Sequence, residues 1–305
     1  MTAQTVTVGN HRLELKHLDK VFFPNAGLTK GDVVDYYRRI APVMVPHLQQ
    51  RPLNLLRAPD GLQGKPFYQQ AVADYFPDWI NRITVEQVQR GETTHALVDS
   101  PEALVYLADQ GCITPHPWLS RTRALNCPDR LIFDLDPSDD DFTPVRDAAR
   151  LLRDQLLSIG LTPFVQTSGS RGLHVVAPLD ATADFDQARQ LAQAVAEALA
   201  EQQPQWLTTA QYKNQRQGRL YLDTQRNAYG QTAVAPYALR LKPGAPVATP
   251  LDWEELQDGD LHPQKYTLQN IFRRLGQKSD PWADIDNHCG SVESALEQLQ
   301  AGSGG

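Results

Sequence analysis

The sequence predicts an α+β fold with a split βαβ sheet at its centre, and three observations support this prediction. Between residues 131 and 223, strand-like and helix-like hydrophobic segments follow one another in the order β-α-β-β-α-β. This order is typical of ferredoxin-like sheets, in which the first strand lies between the third and the fourth. The 305 residues can bury a substantial core, and no apolar stretch approaches the roughly 20 residues of a membrane-spanning helix.

Each element has its own signal. Period-2 alternation indicates the strands, and Thr143, Pro144 and Gly160 mark the ends of the first helix. Upstream, Thr29 and Asp32 form the capping-box pattern of another helix start. The predicted elements of the sheet are strands at 131–136, about 162–167, about 173–178 and 219–223, with helices at about 143–159 and about 184–202.

Charge is distributed unevenly along the chain. The net formal charge is −7, but the segment from Arg12 to Lys65 holds nine Lys or Arg and five Asp or Glu, a net charge of +4. A polyanion could dock on this segment, although the segment could equally be an ordinary solvated surface. The N-terminus lacks an apolar signal segment, and the three cysteines have neither disulfide nor metal-ligand spacing. We therefore expect a cytoplasmic, reducing location and inert cysteines.

The segment LIFDLDPSDDD at 131–141 places two carboxylates at the end of a hydrophobic strand. Side chains alternate between the faces of a strand, so Asp134 and Asp136 point the same way. In RLYLD the two leucines share one face and Asp223 falls on the other, on a strand predicted to flank the first. Three converging carboxylates could hold two Mg²⁺ or Mn²⁺ ions about 4 Å apart for phosphoryl transfer. The alternative is that residues 136–141 form only a solvated turn.

The turn TSGSRGLH at 167–174 resembles a triphosphate cradle. Small residues let backbone N–H groups approach an anion, while an arginine and a histidine add charge and donors. The residues concerned are Ser168, Gly169, Ser170, Arg171, Gly172 and His174. A tight hairpin turn is the alternative, but next to three carboxylates a nucleoside triphosphate is the most natural ligand.

Five motifs in a fixed order are similar to those of one family. They are GCITPHPW (111–118), LIFDLDP (131–137), TSGSRGLHVVAPL (167–179), GRLYLD (218–223) and VAPYALRLKPGAPVATPL (234–251). They resemble the polymerase domain of bacterial DNA ligase D, in the archaeo-eukaryotic primase superfamily, over about residues 12–275. The resemblance implies a primase-polymerase fold with a split βαβ (RRM/ferredoxin-like) catalytic sheet and an N-terminal α/β module. It further implies a DNA-dependent polymerase of non-homologous end joining that fills gaps and extends ends, prefers ribonucleotides and uses two divalent metal ions, Mn²⁺ or Mg²⁺.

The resemblance also implies site residues. Catalysis and metal binding are expected of Asp134, Asp136 and Asp223. The nucleotide is expected to contact His116, Ser168, Ser170, Arg171, Gly172, His174 and Arg240. The 5′-phosphate of the downstream strand is expected at His17, Lys20 and Lys30, and the template or break end on Phe67 and Tyr68. Without the family, the pattern favours a core or turn histidine at 116, and lone lysines such as Lys20 and Lys30 are usually solvent-facing. A core role fits either aromatic ring equally well.

Three positions depart from the family pattern. His17 stands where relatives often have Asn, Gln70 where Lys or His is common, and Gln231 where some relatives have Lys.

The resemblance also implies partners. These are nucleoside triphosphates and DNA with gaps, overhangs or 5′-phosphorylated ends, in the nucleoid. Since no Lys-x-Asp-Gly ligase motif is present, we also expect a separate DNA ligase, together with an end-binding protein such as bacterial Ku.

The sequence predicts one compact catalytic domain in three parts. These are an α/β module with a basic DNA-end-binding surface at 1–110, a palm-like catalytic module at 111–275, and a C-terminal helix with a flexible tail at 276–305. Two other functions remain open. The hhhDxDxS pattern, where h is apolar, also fits haloacid-dehalogenase-like phosphatases, with Asp134 as nucleophile. A non-catalytic DNA-end-binding module would hold 5′-phosphorylated ends through Lys20 and Lys30 without incorporating nucleotides.

Overall fold

The computed structural model describes residues 3–87, 91–137 and 141–302. The chain forms two compact units. The first comprises Met1–Arg123, Thr232–Ala248 and Tyr266–Lys278, and the second comprises Ala124–Gln231, Thr249–Lys265 and Ser279–Gly305. This division differs from the predicted boundaries near 110 and 275, because two later segments return to the first unit and such returns leave no local signal. The last residues of the predicted flexible tail, 303–305, and residues 138–140 of the predicted turn lie outside the described residues.

Both units combine helices with strands. The described helices are α1 Lys30–Leu48, α2 Pro101–Asp109, α3 Thr143–Ser158, α4 Phe185–Gln202, α5 Lys213–Arg216, α6 Ile271–Leu275 and α7 Val292–Gly302. The described strands are β1 Gln4–Val8, β2 His11–Leu15, β3 Val21–Phe23, β4 Leu28–Thr29, β5 Leu53–Arg57, β6 Phe67–Gln69, β7 Arg82–Gln87, β8 Gly91–Ala96, β9 Cys112–Pro117, β10 Arg130–Asp136, β11 Phe164–Thr167, β12 Leu173–Pro178, β13 Leu207–Thr208, β14 Leu220–Asp223 and β15 Pro250–Leu251. None of the helices described combines the length and the apolar character needed to cross a bilayer.

The second unit is built on a six-stranded sheet in the order β13-β14-β10-β12-β11-β15. The strand β10 lies between β12 and β14 and is antiparallel to both. The predicted order β-α-β-β-α-β and the central position of its first strand are therefore confirmed. Leu131, Phe133 and Leu135 on β10 are fully buried, and α3 and α4 both contact this strand. Because side chains alternate along a strand, the other face of β10 is left for polar residues.

Helix starts agree with their sequence signals. At the start of α1, Thr29 Oγ1 accepts from the Asp32 N–H at 3.3 Å while the Thr29 N–H donates to Asp32 Oδ2 at 2.7 Å, so the predicted capping box is confirmed. A second capping box begins α4, between Asp184 and Gln187. These reciprocal bonds satisfy backbone donors that have no partner within the helix. They set the first turn of α1, which carries Lys30.

In the first unit, buried hydroxyls connect α1 with segments far away in the chain. Tyr36 OH donates to the Tyr237 carbonyl at 2.7 Å, and Tyr37 OH donates to the Ile113 carbonyl on β9. The same unit contains a three-stranded sheet in the order β6-β5-β9. The returning segment 232–248 runs beside β9, where Thr114 Oγ1 donates to the Leu239 carbonyl at 2.5 Å. These bonds order the backbone around His116 and Arg240.

A buried histidine of the first unit is expected to make the stability of the protein depend on pH. His95 on β8 is fully buried, its Nδ1 lies 3.1 Å from the Leu53 carbonyl, and its ring packs edge-on against Trp118. Burial lowers the pKa of His95 below its ordinary value of 6.5. As the pH falls below about 6.5, the unfolded state therefore binds a proton that the folded state does not, and folding becomes less favourable.

We expect the free energy of unfolding to fall between pH 7.5 and pH 5 by up to about 1.4 kcal/mol per pH unit from this residue alone. Urea unfolding of the wild type and of His95→Gln at both values measures it, and the variant should show the smaller pH dependence. His262→Gln is the control, because His262 is exposed. Equal pH dependence in wild type and His95→Gln would contradict the prediction.

Candidate active site

The three predicted catalytic carboxylates lie on adjacent strands of the second unit. Asp134 on β10 is paired directly with Asp223 on β14, and Asp136 is paired with Tyr221. Residues paired across antiparallel strands point to the same face, as do residues two apart on one strand. All three carboxylates therefore project from one face of the sheet, opposite the face that is covered by helices. The Asp134 side chain is 14 % exposed, so this face is partly covered as well.

The three carboxylates at this face lie close enough for their negative charges to interact. Loss of solvation and, after it, the charge of Asp134 raise the pKa of Asp136, and Asp223 adds a smaller increase. His174 and Arg171 act in the opposite direction. Like charges at short range disfavour ionisation unless a cation or a proton is present. The carboxylates therefore form one electrostatic group, although Asp134 and Asp223 come from segments about ninety residues apart in the chain.

A polar row crosses the sheet through this group. Gln166 on β11, His174 on β12, Asp134 and Asp223 occupy successive paired positions. His174 Nε2 lies 3.4 Å from Asp134 Oδ1, and Gln166 Nε2 lies 3.2 Å from His174 Nδ1. The Gln166 amide can thus donate to Nδ1, while Nε2 on the other side of the ring faces Asp134. Gln166 was not predicted from the sequence, since its role depends on strand pairing.

The turn between β11 and β12 is closed by its own serine. Ser168 Oγ accepts from the backbone N–H of Ser170 at 3.2 Å and from that of Gly172 at 3.1 Å. The Ser168 N–H donates to the Gly172 carbonyl at 2.9 Å, and Arg171 is exposed with its guanidinium 3.2 Å from the Pro137 carbonyl. Two of the N–H groups predicted to cradle an anion are therefore already bonded within the turn.

Gly172 lets this turn approach the central strand. A Cβ at this position would lie 1.7 Å from the Leu135 carbonyl oxygen and 3.3 Å from Asp136 Oδ1. No side chain can occupy such a space, so the glycine is required for close packing rather than for an unusual backbone conformation. The turn consequently lies directly beside the carboxylates.

The donor set suits hard divalent ions. Carboxylate oxygens are the ligands that Mg²⁺ and Mn²⁺ prefer, and a cation would relieve the repulsion that raises the pKa of Asp136. Among the residues described, however, no group of three or more His, Cys, Asp or Glu side chains is arranged as a complete ion site. In this structure Asp223 Oδ1 instead accepts from the Gln225 N–H at 2.8 Å. The chemistry of the carboxylates and the pairing of their strands therefore suit a divalent ion, but the described side chains do not form a complete coordination shell.

The other predicted nucleotide-binding residues belong to the first unit. His116 on β9 is half-buried, and its ring lies 5.7 Å from that of Tyr68 between centroids. Arg240 lies within the segment 232–248 that bonds to β9, and its backbone N–H donates to the Pro246 carbonyl at 2.8 Å. Phe67 and Tyr68 on β6 are 45 % and 66 % exposed. The two rings are therefore surface residues, and the alternative that they belong to the core does not hold.

A basic pocket of about 290 Å³ brings the three predicted phosphate-binding residues of the first unit together. It is lined by Lys16, His17, Lys20, Phe22, Lys30, Arg57, Pro59, Asp109, Gln110 and Gly111. Lys30 Nζ is buried and makes an ion pair with Asp109 at 2.7 Å, while Lys20 pairs with the exposed Asp60. We call this site the basic pocket.

The basic pocket also contains residues that the sequence did not reveal. Arg57 is buried, donates to the Gln110 carbonyl at 2.9 Å and to Tyr75 OH at 2.7 Å, and lies 5.4 Å from the centre of the Phe67 ring. Lys16 is the second basic residue of the pocket that the sequence did not single out, because no motif surrounds it. Only the basic character of residues 12–65 pointed to them, because their convergence depends on the pairing of β5 with β6 and β9.

The fold and this carboxylate face define the class of protein, and a solved structure agrees with it. The polymerase domain from Mycobacterium tuberculosis ligase D, determined in complex with DNA, matches with a TM-score of 0.85 and 32 % sequence identity. The match covers 92 % of this chain and 99 % of that chain. The class is therefore that of the primase-polymerases, which are nucleotidyltransferases, and the predicted fold class and enzyme class are confirmed.

The family model for the LigD primase-polymerase domain matches residues 29–282, and the chain belongs to this family. The multifunctional non-homologous end joining DNA repair protein LigD of Mycobacterium tuberculosis H37Rv is 34 % identical over 291 residues, which are 92 % of this chain. The bifunctional non-homologous end joining protein LigD of Bacillus subtilis is 30 % identical over 276 residues, 90 % of this chain. The chain spans 38 % and 44 % of the length of these two relatives.

Proposed function

We propose that this chain is a DNA-dependent polymerase that adds nucleotides, preferentially ribonucleotides, to 3′ ends at gaps and double-strand breaks in non-homologous end joining. The observation that carries the proposal is the direct pairing of Asp134 with Asp223, with Asp136 on the same face of the sheet. Membership in the LigD primase-polymerase family supports it. The DNA in the solved Mycobacterium tuberculosis relative supports DNA as the substrate.

The proposal includes two divalent ions, Mn²⁺ or Mg²⁺, held by Asp134, Asp136 and Asp223. When bound, such ions lower the pKa of a primer 3′-hydroxyl and neutralise charge on the departing pyrophosphate. His174 is oriented by Gln166 and faces Asp134, so it can donate a hydrogen bond to a phosphate oxygen at this face. Arg171 is exposed beside the same carboxylates and can add a bidentate contact to a phosphate.

The proposed nucleotide site also includes Ser168, Ser170 and Gly172 of the turn, and His116 and Arg240 of the first unit. The side chain of Ser168 is buried and already accepts two N–H groups, so we assign it to shaping the turn. For His116 and Arg240, the support is their position in the family motifs together with the ordered backbone of β9 and the segment beside it.

We propose that the basic pocket holds the 5′-phosphate of the downstream DNA strand. Lys16, Lys20, Lys30 and His17 meet there in about 290 Å³, a volume suited to a phosphate group. The exposed rings of Phe67 and Tyr68 offer a surface for base stacking, and Arg57 connects the pocket with the Phe67 ring. Lys20 and Lys30 are paired with Asp60 and Asp109 in this structure, so a bound phosphate would compete with these carboxylates.

The proposed partners follow from the same sites. Nucleoside triphosphates and DNA with gaps, overhangs or 5′-phosphorylated ends would be the substrates. Sealing would need a DNA ligase activity outside these residues, because the chain carries no Lys-x-Asp-Gly motif. An end-binding protein such as bacterial Ku and association with the nucleoid are part of the proposal, and the non-homologous end joining names of the LigD relatives support both.

One experiment tests the proposal directly. Gapped duplexes with and without a 5′-phosphate on the downstream strand are extended with ribonucleotides or deoxyribonucleotides in the presence of Mn²⁺. We expect templated addition that is faster with ribonucleotides and is stimulated by the 5′-phosphate. Absence of incorporation with any nucleotide and either ion would refute the polymerase assignment.

Replacing Lys20 by alanine tests the basic pocket. We expect roughly tenfold weaker binding to a 5′-phosphorylated gap and a salt dependence reduced by about one unit of slope, because one charged phosphate contact is lost. Fluorescence anisotropy over a salt series measures both quantities. The stability of the protein should not change, since the Lys20–Asp60 pair is exposed.

Lys65→Ala is the matched control for Lys20→Ala, because Lys65 is an exposed lysine of the same unit. It does not line the basic pocket. A Lys20→Ala variant that still prefers phosphorylated over unphosphorylated ends as strongly as wild type would remove Lys20 from the site.

The two rival functions receive less support. Haloacid-dehalogenase-like phosphatases place their first aspartate on a parallel sheet, whereas β10 is antiparallel to both of its neighbours. The non-catalytic end-binding module is disfavoured by the pairing of Asp134 and Asp223 on one face. A phospho-aspartate trapped at Asp134 would revive the first rival.

A further inference from the structure

One tyrosine lies on the same face of the sheet as the three carboxylates and has no part in the proposed metal or nucleotide sites. Tyr221 on β14 is paired directly with Asp136, and residues paired in this way point to the same face. Tyr221 and Asp223 are two apart on one strand, so their side chains share that face as well. Tyr221 is only 5 % exposed, although its neighbours on this face are polar. This position asks what the ring and its hydroxyl do there.

The hydroxyl of Tyr221 belongs to a chain of hydrogen bonds that ends on one of the carboxylates. Gln225 Nε2 donates to Tyr221 OH at 3.0 Å, and Tyr221 OH donates to Asp223 Oδ1 at 3.3 Å. The backbone N–H of Gln225 donates to the same oxygen at 2.8 Å. Among the described residues, both hydrogen bonds of the Asp223 carboxylate therefore end on Oδ1. These two bonds restrict the rotation of the carboxylate and leave Oδ2 for a cation.

The ring of Tyr221 is held in place by an arginine. The central carbon of the Arg216 guanidinium lies 4.1 Å from the centre of the ring. The same guanidinium donates to the carbonyls of Ala210 and Gln211 at 3.1 and 2.8 Å, so it is fixed as well. A cation over the face of a tyrosine attracts the ring. Because its ring and its hydroxyl both have fixed neighbours, Tyr221 has little freedom to turn away from Asp223.

The orientation of a carboxylate affects how well it binds a metal ion. Residues that hydrogen-bond to ligating carboxylates or imidazoles typically change metal affinity or activity by about 10- to 100-fold when they are removed. Tyr221 OH is the side-chain donor that the structure gives to Asp223. It contacts the carboxylate through the oxygen that also accepts the Gln225 N–H, so it can orient the group without occupying the other oxygen.

We propose that Tyr221 is a positioning residue that holds Asp223, through the hydrogen bond to Oδ1, in the orientation in which Asp223 binds a divalent ion. This inference rests on the proposed function, and specifically on Asp223 as a metal ligand. Tyr221 acts through Asp223 and has no contact of its own with the nucleotide. Loss of the hydroxyl therefore weakens ion binding, whereas the rate of extension at a saturating ion concentration changes little.

Tyr221→Phe tests the inference, because it removes the hydroxyl and keeps the ring beneath Arg216. Mn²⁺ binding is measured without DNA or nucleotide, from the electron paramagnetic resonance signal of the free ion. We expect the dissociation constant for Mn²⁺ to rise about tenfold. In extension of a gapped duplex, the Mn²⁺ concentration for half-maximal rate should rise by a similar factor, while the rate at saturating Mn²⁺ stays within about twofold of wild type.

Tyr229→Phe is the matched control, because Tyr229 belongs to the same unit and its ring packs edge-on against Phe185. This variant should bind Mn²⁺ as wild type does. Gln225→Leu removes the side-chain donor to the Tyr221 hydroxyl and keeps the backbone N–H that bonds to Asp223, so it should weaken Mn²⁺ binding less than Tyr221→Phe. Gln225 is exposed, so this second variant keeps the inference testable if Tyr221→Phe does not fold. Thermal unfolding verifies the folding of all three variants.

A folded Tyr221→Phe variant that binds Mn²⁺ as tightly as wild type would overturn the inference, and so would an equal loss of affinity in Tyr229→Phe. Either result leaves the proposed function standing if the wild type extends primers. A wild type that neither binds Mn²⁺ nor incorporates any nucleotide would overturn the proposed function and this inference together.

Discussion

Replacing Asp134 by alanine is expected to lower Mn²⁺-dependent extension of a gapped, 5′-phosphorylated duplex by about 1,000-fold or more. Asp134 is the carboxylate that is paired with both Asp223 and His174, so its loss removes a ligand proposed for both ions. Several kcal/mol of transition-state stabilisation depend on such ions, and each 1.36 kcal/mol corresponds to a factor of ten in rate. Primer-extension rates under single-turnover conditions measure the loss.

Two comparisons separate the loss of chemistry from a loss of structure. DNA binding by Asp134→Ala should remain close to wild type, because the basic pocket belongs to the first unit. Asp147→Ala provides a carboxylate control from the same unit as Asp134. Asp147 is exposed and makes an ion pair with the nearby Arg150. Extension by Asp134→Ala at the wild-type rate would refute the assignment of the metal ligands.

Replacing Lys30 by alanine is expected to destabilise the protein by about 3 to 5 kcal/mol. Lys30 Nζ lies 2.7 Å from Asp109 Oδ1, and both side chains are less than one tenth exposed. Lys30 Nζ also donates to the Lys16 carbonyl at 2.6 Å. Truncation leaves the Asp109 carboxylate buried without its cation. The remaining bonds, from the Lys16 N–H at 3.1 Å and from Gln110 Nε2 at 3.3 Å, come from neutral donors and cannot replace it. Urea unfolding at pH 7.5 measures the change.

The double variant Lys30→Met, Asp109→Leu distinguishes an unpaired charge from lost packing. Removing both charges should recover most of the stability, because apolar groups of similar size often replace a buried ion pair at little cost. The double variant should still bind 5′-phosphorylated ends weakly, since the cation proposed to contact the phosphate is absent. Wild-type stability in Lys30→Ala would mean that the pair contributes little, as exposed pairs do.

Local signals were sufficient for the start of α1 and for the central strand of the catalytic sheet. The capping box at Thr29 and the alternation around Asp134 depend on residues within one turn of helix or one strand, and the structure reproduces both. The strand order also followed, because a β-α-β-β-α-β chain has few ways to pair its strands without crossing connections. The domain division did not follow, because the segment 232–248 bonds to the distant strand β9 and the segment 266–278 bonds in turn to 232–248.

The sequence by itself determined the family, the sheet and the three acidic residues, since these depend on periodicity and on motifs that are continuous in the chain. Only the tertiary structure decided which side chains come together within each unit: Gln166 beside His174 in the second, and Arg57 with Asp109 in the basic pocket of the first. Strand register determines these meetings, and a shift of one residue would turn every side chain to the opposite face. No short stretch of sequence carries that information, because register depends on the packing of the whole sheet.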